Sequence, residues 1–442
     1  MGQKLHRCIG TGIATLLTAW TVVPASSADD VRVDEIRVNQ GRIEHRIQAL
    51  SEFGRNPEGG VSRVAYSDAD IQGRAYVKTL MEQAGLTVRV DAGGNIIGRR
   101  AGAEPTLPPI MFGSHIDSVP GGGNYDGHLG SIAAIEVAQT LADHGIAARH
   151  PLEVIIFADE EGGLVGSRAL AGRLSAKALE TVSHSGFTIR EGIRRIGGDP
   201  DALGDPLVGP GVLAAFLELH IEQGAILHEE GIDIGVVEGI VGIRWWDVTI
   251  DGMANHAGTT PMNRRRDALV AGARLVLAVN EAATHFDGAQ VATVGRIGAG
   301  PGAPNVIPGT VEMSLEIRDL SEARMAEVFA RISAKARQIG DATGTEIRFA
   351  EVPLDAKPAP TDPRLRDIIA GAADKLGLSA KRMPSGAGHD AQEMVRIAPT
   401  GMIFVPSVDG ISHSPAEFTS AADMANGANT LLHAVLEIDR SW

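Results

Sequence analysis

Cysteine is nearly absent. The one residue of this type among 442, Cys8, lies in a leader-like N-terminus, so no internal disulfide can form and thiolate chemistry has no donor in the body of the chain. Any nucleophile or metal ligand must therefore come from His, Asp and Glu. Aromatic residues make up only 4%. Basic clusters are also missing: the formal charge is −15, and the longest basic run is Arg264-Arg265-Arg266. A phosphate-binding surface needs clustered Lys and Arg, so nucleic-acid binding is excluded as an expectation. With 44% apolar and 21% charged residues, and no repeat or low-complexity tract, the composition is that of a folded globular chain.

Long apolar runs are missing too. The longest, Ile9 to Val23, is short for a membrane span, but it follows Lys4 and Arg7 and ends in Pro24 and Ala25-Ser26-Ser27-Ala28. That order predicts a signal peptide over residues 1–28, cleaved after Ala28, and hence a secreted or periplasmic protein; without the leader the protein would be cytoplasmic. Neither a twin-arginine pair nor a lipidation context around Cys8 is present. Losing Lys4 and Arg7 with the leader would take the net charge from −15 to −17.

The length predicts two domains. Apolar runs at Pro109–Phe112, Leu152–Ala158 and Leu213–Leu219 read as buried strands, and they alternate with helical spacing. This predicts an α/β layered sheet. Between 232 and 352 the order changes to β-α-β-β-α-β, a small sheet with helices on one face. From Thr361 the layered pattern returns. The expected organisation is thus a larger α/β domain, 29–231 and 353–442, interrupted by a smaller α+β domain over 232–352.

Polar clusters stand at the ends of the predicted strands. The stretch G-S-H-I-D-S-V-P-G-G-G-N-Y-D-G, 113–127, puts His115 and Asp117 on one face where a strand ends and brings Asp126 to the start of a helix. Asp159-Glu160-Glu161 follows the next strand and His220-Ile221-Glu222-Gln223 another. Asn255-His256 and Ser412-His413 complete the set. Alone, each is explained equally well by a turn or a satisfied core histidine. Together, adjacent carboxylates behind buried strands are costly unless a cation offsets them. His115, Asp126, Glu161, His220 and His413 supply the donors of a two-metal hydrolytic site, with one glutamate left as proton acceptor. Residue order leaves open which of Glu160 and Glu161 takes which part.

The motifs G-S-H-I-D-S-V, G-N-Y-D-G, D-E-E-G, L-H-I-E-Q-G, N-H-A-G-T-T-P-M, P-N-V-I-P-G, E-I-R-D, S-G-A-G-H-D-A and S-H-S-P-A-E run in order through 113–417. In this combination the chain resembles the di-zinc aminoacylase and carboxypeptidase-type metallohydrolases, in the branch of N-carbamoyl-L-amino-acid hydrolases, ureidopropionases and allantoate amidohydrolases. The resemblance implies two divalent metal ions per subunit, zinc first, with manganese or cobalt as alternatives. It implies that Asp126 bridges them, that His115 and His220 hold one and Glu161 and His413 the other, that Asp117 orients His115, and that Glu160 is the general base. Gln223, His256, Asn305, Arg318 and the backbone at Gly386 would contact a small ureido-acid substrate, with His256 also catalytic. The 232–352 segment would serve as a lid and dimerisation domain, lending His256 and Asn305 to the other subunit of a homodimer. The implied activity is hydrolysis of the ureido group of N-carbamoyl-L-amino acids. Allantoate amidohydrolase or ureidopropionase activity is the alternative, and an inactive metal-dependent binding protein a second.

Overall fold

Asp91–Gly94 makes the turn its composition dictates, with the Asp91 carboxylate accepting from the Asn95 N–H at 2.9 Å. It joins Thr87–Val90 (β1) to Ile96–Arg100 (β2) as an antiparallel hairpin. The apolar runs become Ile110–His115 (β3), Leu152–Phe157 (β4) and Ala215–Ile221 (β5), in which every residue is buried. Ile234–Ile240 (β6) follows. Gly242–Asp251 (β7), Asn255–His256 (β8), Val291–Thr293 (β9), Ile297–Gly300 (β10), Val306–Ile307 (β11), Thr310–Asp319 (β12) and Glu346–Val352 (β13) come next, then Ala359–Pro360 (β14), Ala380–Ser385 (β15) and Thr400–Val405 (β16). The structure is a computed structural model that describes residues 1–4, 33–354 and 356–442. The leader expected over 1–28 falls outside the described residues apart from its first four. The remaining described residues up to Ile36 hold one 3-10 turn, Val33–Glu35, and Arg37–Trp442 form one compact unit.

Nine strands form a mixed sheet in the order β1-β2-β4-β3-β5-β16-β6-β14, with β15 also on β6. Its centre is parallel: β4, β3, β5 and β16 lie side by side and point the same way. Their carboxyl ends therefore form one row, the position where open α/β sheets carry ligands. Helix His128–Asp143 packs behind that row and is almost wholly buried. The first strand of the expected inserted segment, β6, pairs with β15 and β16 in this large sheet. Its run I-G-V-V-E-G-I is buried on both faces, as a central strand requires.

Five strands form the second sheet, β10-β12-β7-β13 with β9 on β12. Helices Ala268–Thr284 and Glu322–Thr343 cover one face, packing Leu275, Val279, Val328 and Ile332 on Trp246, Val248, Leu315 and Ile317. The first of these helices starts at Ala268, where the Asp267 carboxylate caps the N–H groups of Leu269 and Val270. The third sheet is the two-stranded ribbon β8–β11. Among the described residues no helix is long and apolar enough to cross a membrane.

Candidate metal centre

His115 ends β3, His220 lies near the end of β5, Glu161 follows β4 and His413 lies in the loop after β16. The parallel order thus delivers four donors from four neighbouring strands. Asp126 sits among them at the start of the buried helix. Its Oδ1 lies 3.6 Å from His115 Nε2 and 3.2 Å from His220 Nε2, while its Oδ2 lies 3.3 Å from His413 Nε2. His413 Nε2 is in turn 3.6 Å from Glu161 Oε2. Two donor triads result, His115–Asp126–His220 and Asp126–Glu161–His413, each with its ligand atoms within 4.8 Å of one another, and Asp126 belongs to both.

The histidine tautomers suit metal ligation. His115 Nδ1 donates to the Asp117 carbonyl at 3.1 Å and His220 Nδ1 to the Ile221 carbonyl at 2.9 Å, so both rings carry the lone pair on Nε2, and that of His220 accepts the Gly127 N–H at 3.0 Å. His115 Nε2 is buried without a hydrogen-bond partner. Such an orphan is rare unless something binds it. Charge points the same way. Asp126, Glu160 and Glu161 are crowded together and largely buried. Burial, with the nearby charge of Asp126, pushes Glu161 up to about 7, and burial, with Asp390, Glu161 and Asp126, holds Glu160 well above the usual carboxylate range. Burial works against a charged His115 as well, but Glu160, Asp126 and Asp117 outweigh it and raise its pKa. A divalent cation in each triad relieves both the crowded negative charge and the unpaired nitrogen. The residues present fit such ions.

Glu160 stands beside this cluster, with Oε2 3.8 Å from His115 Nε2. Asp117 meets His115 through its main chain rather than its carboxylate. Strand β3 ends at His115, so Asp117 lies beyond it and meets His115 Nδ1 through its main-chain carbonyl; its Oδ1 is 3.7 Å from that nitrogen. Its carboxylate instead accepts the N–H groups of Glu160 at 3.3 Å and Glu161 at 3.1 Å, fixing the turn that carries both glutamates. Gln223 stands beside the shared aspartate. Its amide donates to Asp126 Oδ2 at 2.6 Å, so it touches the cluster itself. Asp159, Gln223 and His413 all have positive φ, of 52°, 58° and 54°. Three such non-glycine residues around one site are backbone strain of the kind that surrounding structure must hold in place.

Three supporting residues had no assigned part in the sequence reading. Glu417 accepts the N–H groups of Tyr125 at 2.8 Å and Asp126 at 3.0 Å and takes a hydrogen bond from Ser412 Oγ, so it holds the shared aspartate. Glu218, two residues before His220 on the buried strand β5, accepts from Ser114 Oγ and the Ala391 N–H. A charge inside A-F-L-E-L-H-I was its signal. His389 packs edge-on against His220 with ring centroids 4.5 Å apart, and burial, then His220, keeps its pKa well below that of a free imidazole.

The expected substrate contacts fall in two groups. Arg318 on β12 donates from Nη1 to the Gly386 carbonyl at 2.8 Å, which brings that pair together. His256 and Asn305 are neighbours on the exposed β8–β11 ribbon, where the Ala257 N–H donates to the Asn305 carbonyl at 2.9 Å. His256 Nδ1 accepts from the N–H groups of Gly258 and Thr259, which puts its proton on Nε2.

An α/β sheet whose parallel strands end in two imidazole–carboxylate triads sharing one aspartate defines a metallohydrolase. The chain belongs to peptidase family M20/M25/M40, which it matches over residues 111–437. It is 40% identical over 402 residues to an N-carbamoyl-L-amino acid amidohydrolase of Geobacillus stearothermophilus, across 90% of this chain and 98% of that protein. To an allantoate amidohydrolase of Escherichia coli (strain K12) it is 35% identical over 407 residues, across 90% and 98%. The crystal structure of a putative amidohydrolase/peptidase from Burkholderia cenocepacia has a TM-score of 0.86 at 40% identity, covering 92% of this chain and 100% of that one.

Proposed function

We propose that this chain hydrolyses the ureido group of N-carbamoyl-L-amino acids, giving the amino acid, ammonia and carbon dioxide. The observation that carries the reading is the likeness to the Geobacillus amidohydrolase along nearly its whole length, combined with a site of matching chemistry. Divalent ions held by His115, Asp126 and His220 and by Asp126, Glu161 and His413 would supply Lewis acidity to the carbonyl and to the attacking water. Glu160, with a pKa raised by burial and neighbouring charge, takes the proton of that water and returns it to the leaving nitrogen. The carbamate so released breaks down to ammonia and carbon dioxide. Arg318 holds the substrate carboxylate as a two-pronged fork, with Asn305 beside it. His256, with its proton on Nε2, donates to the oxygen on which negative charge develops.

His256 and Asn305 are exposed, which supports their delivery to the site of a neighbouring subunit by the second sheet, acting as lid and dimerisation domain. Leu269 and Leu277 on helix Ala268–Thr284 and Ile297 on edge strand β10 are exposed apolar residues suited to such a contact. Light scattering should return the mass of a homodimer. The leader reading implies export to the periplasm, and N-terminal sequencing of the mature protein should begin at Asp29. For the activity itself, ammonia is measured after incubating the protein and added zinc, manganese or cobalt with several carbamoyl amino acids, ureidopropionate and allantoate. Release from carbamoyl amino acids supports the proposal. Release from allantoate alone would replace it with the alternative, and no release under any metal would leave the inactive binding protein.

A further inference from the structure

The open face of the five-stranded sheet bears a second recognition element, and its interpretation rests on the ureido-acid reading. The helices cover the face that holds Trp246, Leu315 and Ile317. Strand alternation therefore puts Trp245, Ser314, Glu316 and Arg318 on the opposite face. Trp245 and Glu316 stand directly across from each other on β7 and β12, and the indole Nε1 donates to Glu316 Oε2. The same carboxylate accepts from Arg318 Nε at 2.8 Å and Nη2 at 3.2 Å. This side-on grip leaves the end-on edge of the guanidinium, Nη1 and Nη2, for a substrate carboxylate, with Nη1 steadied by Gly386.

Next to Glu316, a cavity of about 580 Å³ extends over Trp245, Thr293, Arg296 and Ser314. That is within the size of small-ligand pockets, roughly 300–1,000 Å³. Its charged groups already have partners, since Arg296 pairs with Asp247 at 3.0 Å and Glu316 with Arg318. What it offers a ligand is the ring of Trp245, which is 42% exposed. Trp245 lies across from Glu316, which makes it the diagonal cross-strand neighbour of Arg318, and such pairs are about 7–8 Å apart, within reach of a long or aromatic side chain leaving the Cα of an acid anchored on Arg318.

We propose that this cavity is the side-chain subsite: a ureido acid held by its carboxylate on Arg318 lays an aromatic or large apolar side chain along Trp245, and Glu316 is the positioning residue shared by both contacts. An aromatic face selects such side chains over a hydrogen or a polar ureido arm.

The test compares kcat/KM for N-carbamoyl-L-phenylalanine and N-carbamoylglycine in the metal-loaded protein and its Trp245→Ala, Trp245→Phe and Glu316→Gln variants. The phenylalanine-to-glycine ratio should fall roughly tenfold or more in Trp245→Ala and be largely kept by Trp245→Phe. Glu316→Gln should raise KM for both substrates more than it lowers kcat. An unchanged ratio in Trp245→Ala overturns the subsite, and an unchanged KM in Glu316→Gln removes its positioning part. If no carbamoyl amino acid is hydrolysed by the unaltered protein, the underlying reading fails, and the subsite is judged by calorimetric binding of L-phenylalanine against glycine. Preference for L-phenylalanine that disappears in Trp245→Ala upholds it, and equal binding overturns it.

Discussion

Gly127 offers a direct test of how tightly the site is built. It caps the helix that follows Asp126, with φ 65° and ψ −41°, and a Cβ added there would overlap the His115 ring, well inside the 3.0 Å that real Cβ atoms keep. Gly127→Ala therefore carries two costs. The first is conformational, about 1–3 kcal/mol for an L-residue forced into this backbone region. The second is displacement of His115 from Asp126, and disturbing a ligand's orientation typically lowers metal affinity roughly 10–100-fold. Gly121→Ala separates the two. Gly121 has a comparable φ of 70° but nothing within 4 Å of the added Cβ, so only the conformational cost applies. Both variants should melt below the parent in the metal-free state, but only Gly127→Ala should show weakened zinc binding in a competition titration with a chromogenic chelator. Wild-type zinc affinity in Gly127→Ala, or equal loss in both, would refute the placement of His115 as a ligand packed against this glycine.

Three further outcomes are expected. Glu160→Gln keeps the shape of the side chain and removes its proton exchange, so kcat should fall about 10²–10⁴-fold while bound metal, measured by atomic emission, stays the same; unchanged turnover would remove Glu160 from the reaction. Arg318→Lys should raise KM for carbamoyl amino acids at least roughly tenfold but have little effect on their amides, because Lys lacks the fork; equal loss on both would argue against carboxylate binding. Burial outweighs the pull of Arg74 and brings Asp70 up to about 6. A raised carboxyl contributes its stability below the unfolded pKa of 3.8 and loses it as pH climbs through 6, which at 1.36 kcal/mol per pKa unit removes roughly 3 kcal/mol by pH 8. Urea unfolding at pH 5 and pH 8 should therefore show Asp70→Asn gaining on the parent by about 1 kcal/mol, and a constant difference would contradict the shift.

Where the sequence is legible, side-chain period and burial coincide. The alternation of exposed and half-buried residues over most of Glu346–Val352 matches its pairing as β13, and the turn at Asp91–Gly94 announces its hairpin. Where the reading falls short, pairing depends on distant chain. β6 reads like the strand that follows it, and only its hydrogen bonds to β15 and β16 put it in the large sheet. The ribbon β8–β11 is two residues a strand, too short for any periodicity. Donors of the metal centre were legible because each is a polar residue at the end of an apolar run. Their supports were not. Glu417 reaches Asp126 across 291 residues, and the carboxylate of Asp117 turns to two main-chain N–H groups that no side-chain pattern encodes. Arg318 stands out as a substrate contact, but its hold on Glu316 depends on strand register and on the indole of Trp245, which no local pattern announces.

The central claim is that residues from four strand ends and one helix start make a centre for two ions. The protein stripped with a chelator and dialysed against zinc should bind two ions per chain, and Asp126→Asn, which weakens the one donor both triads share, should lose both together. A count that stays at or near zero in the unaltered protein, or two ions retained by Asp126→Asn with undiminished affinity, would contradict it.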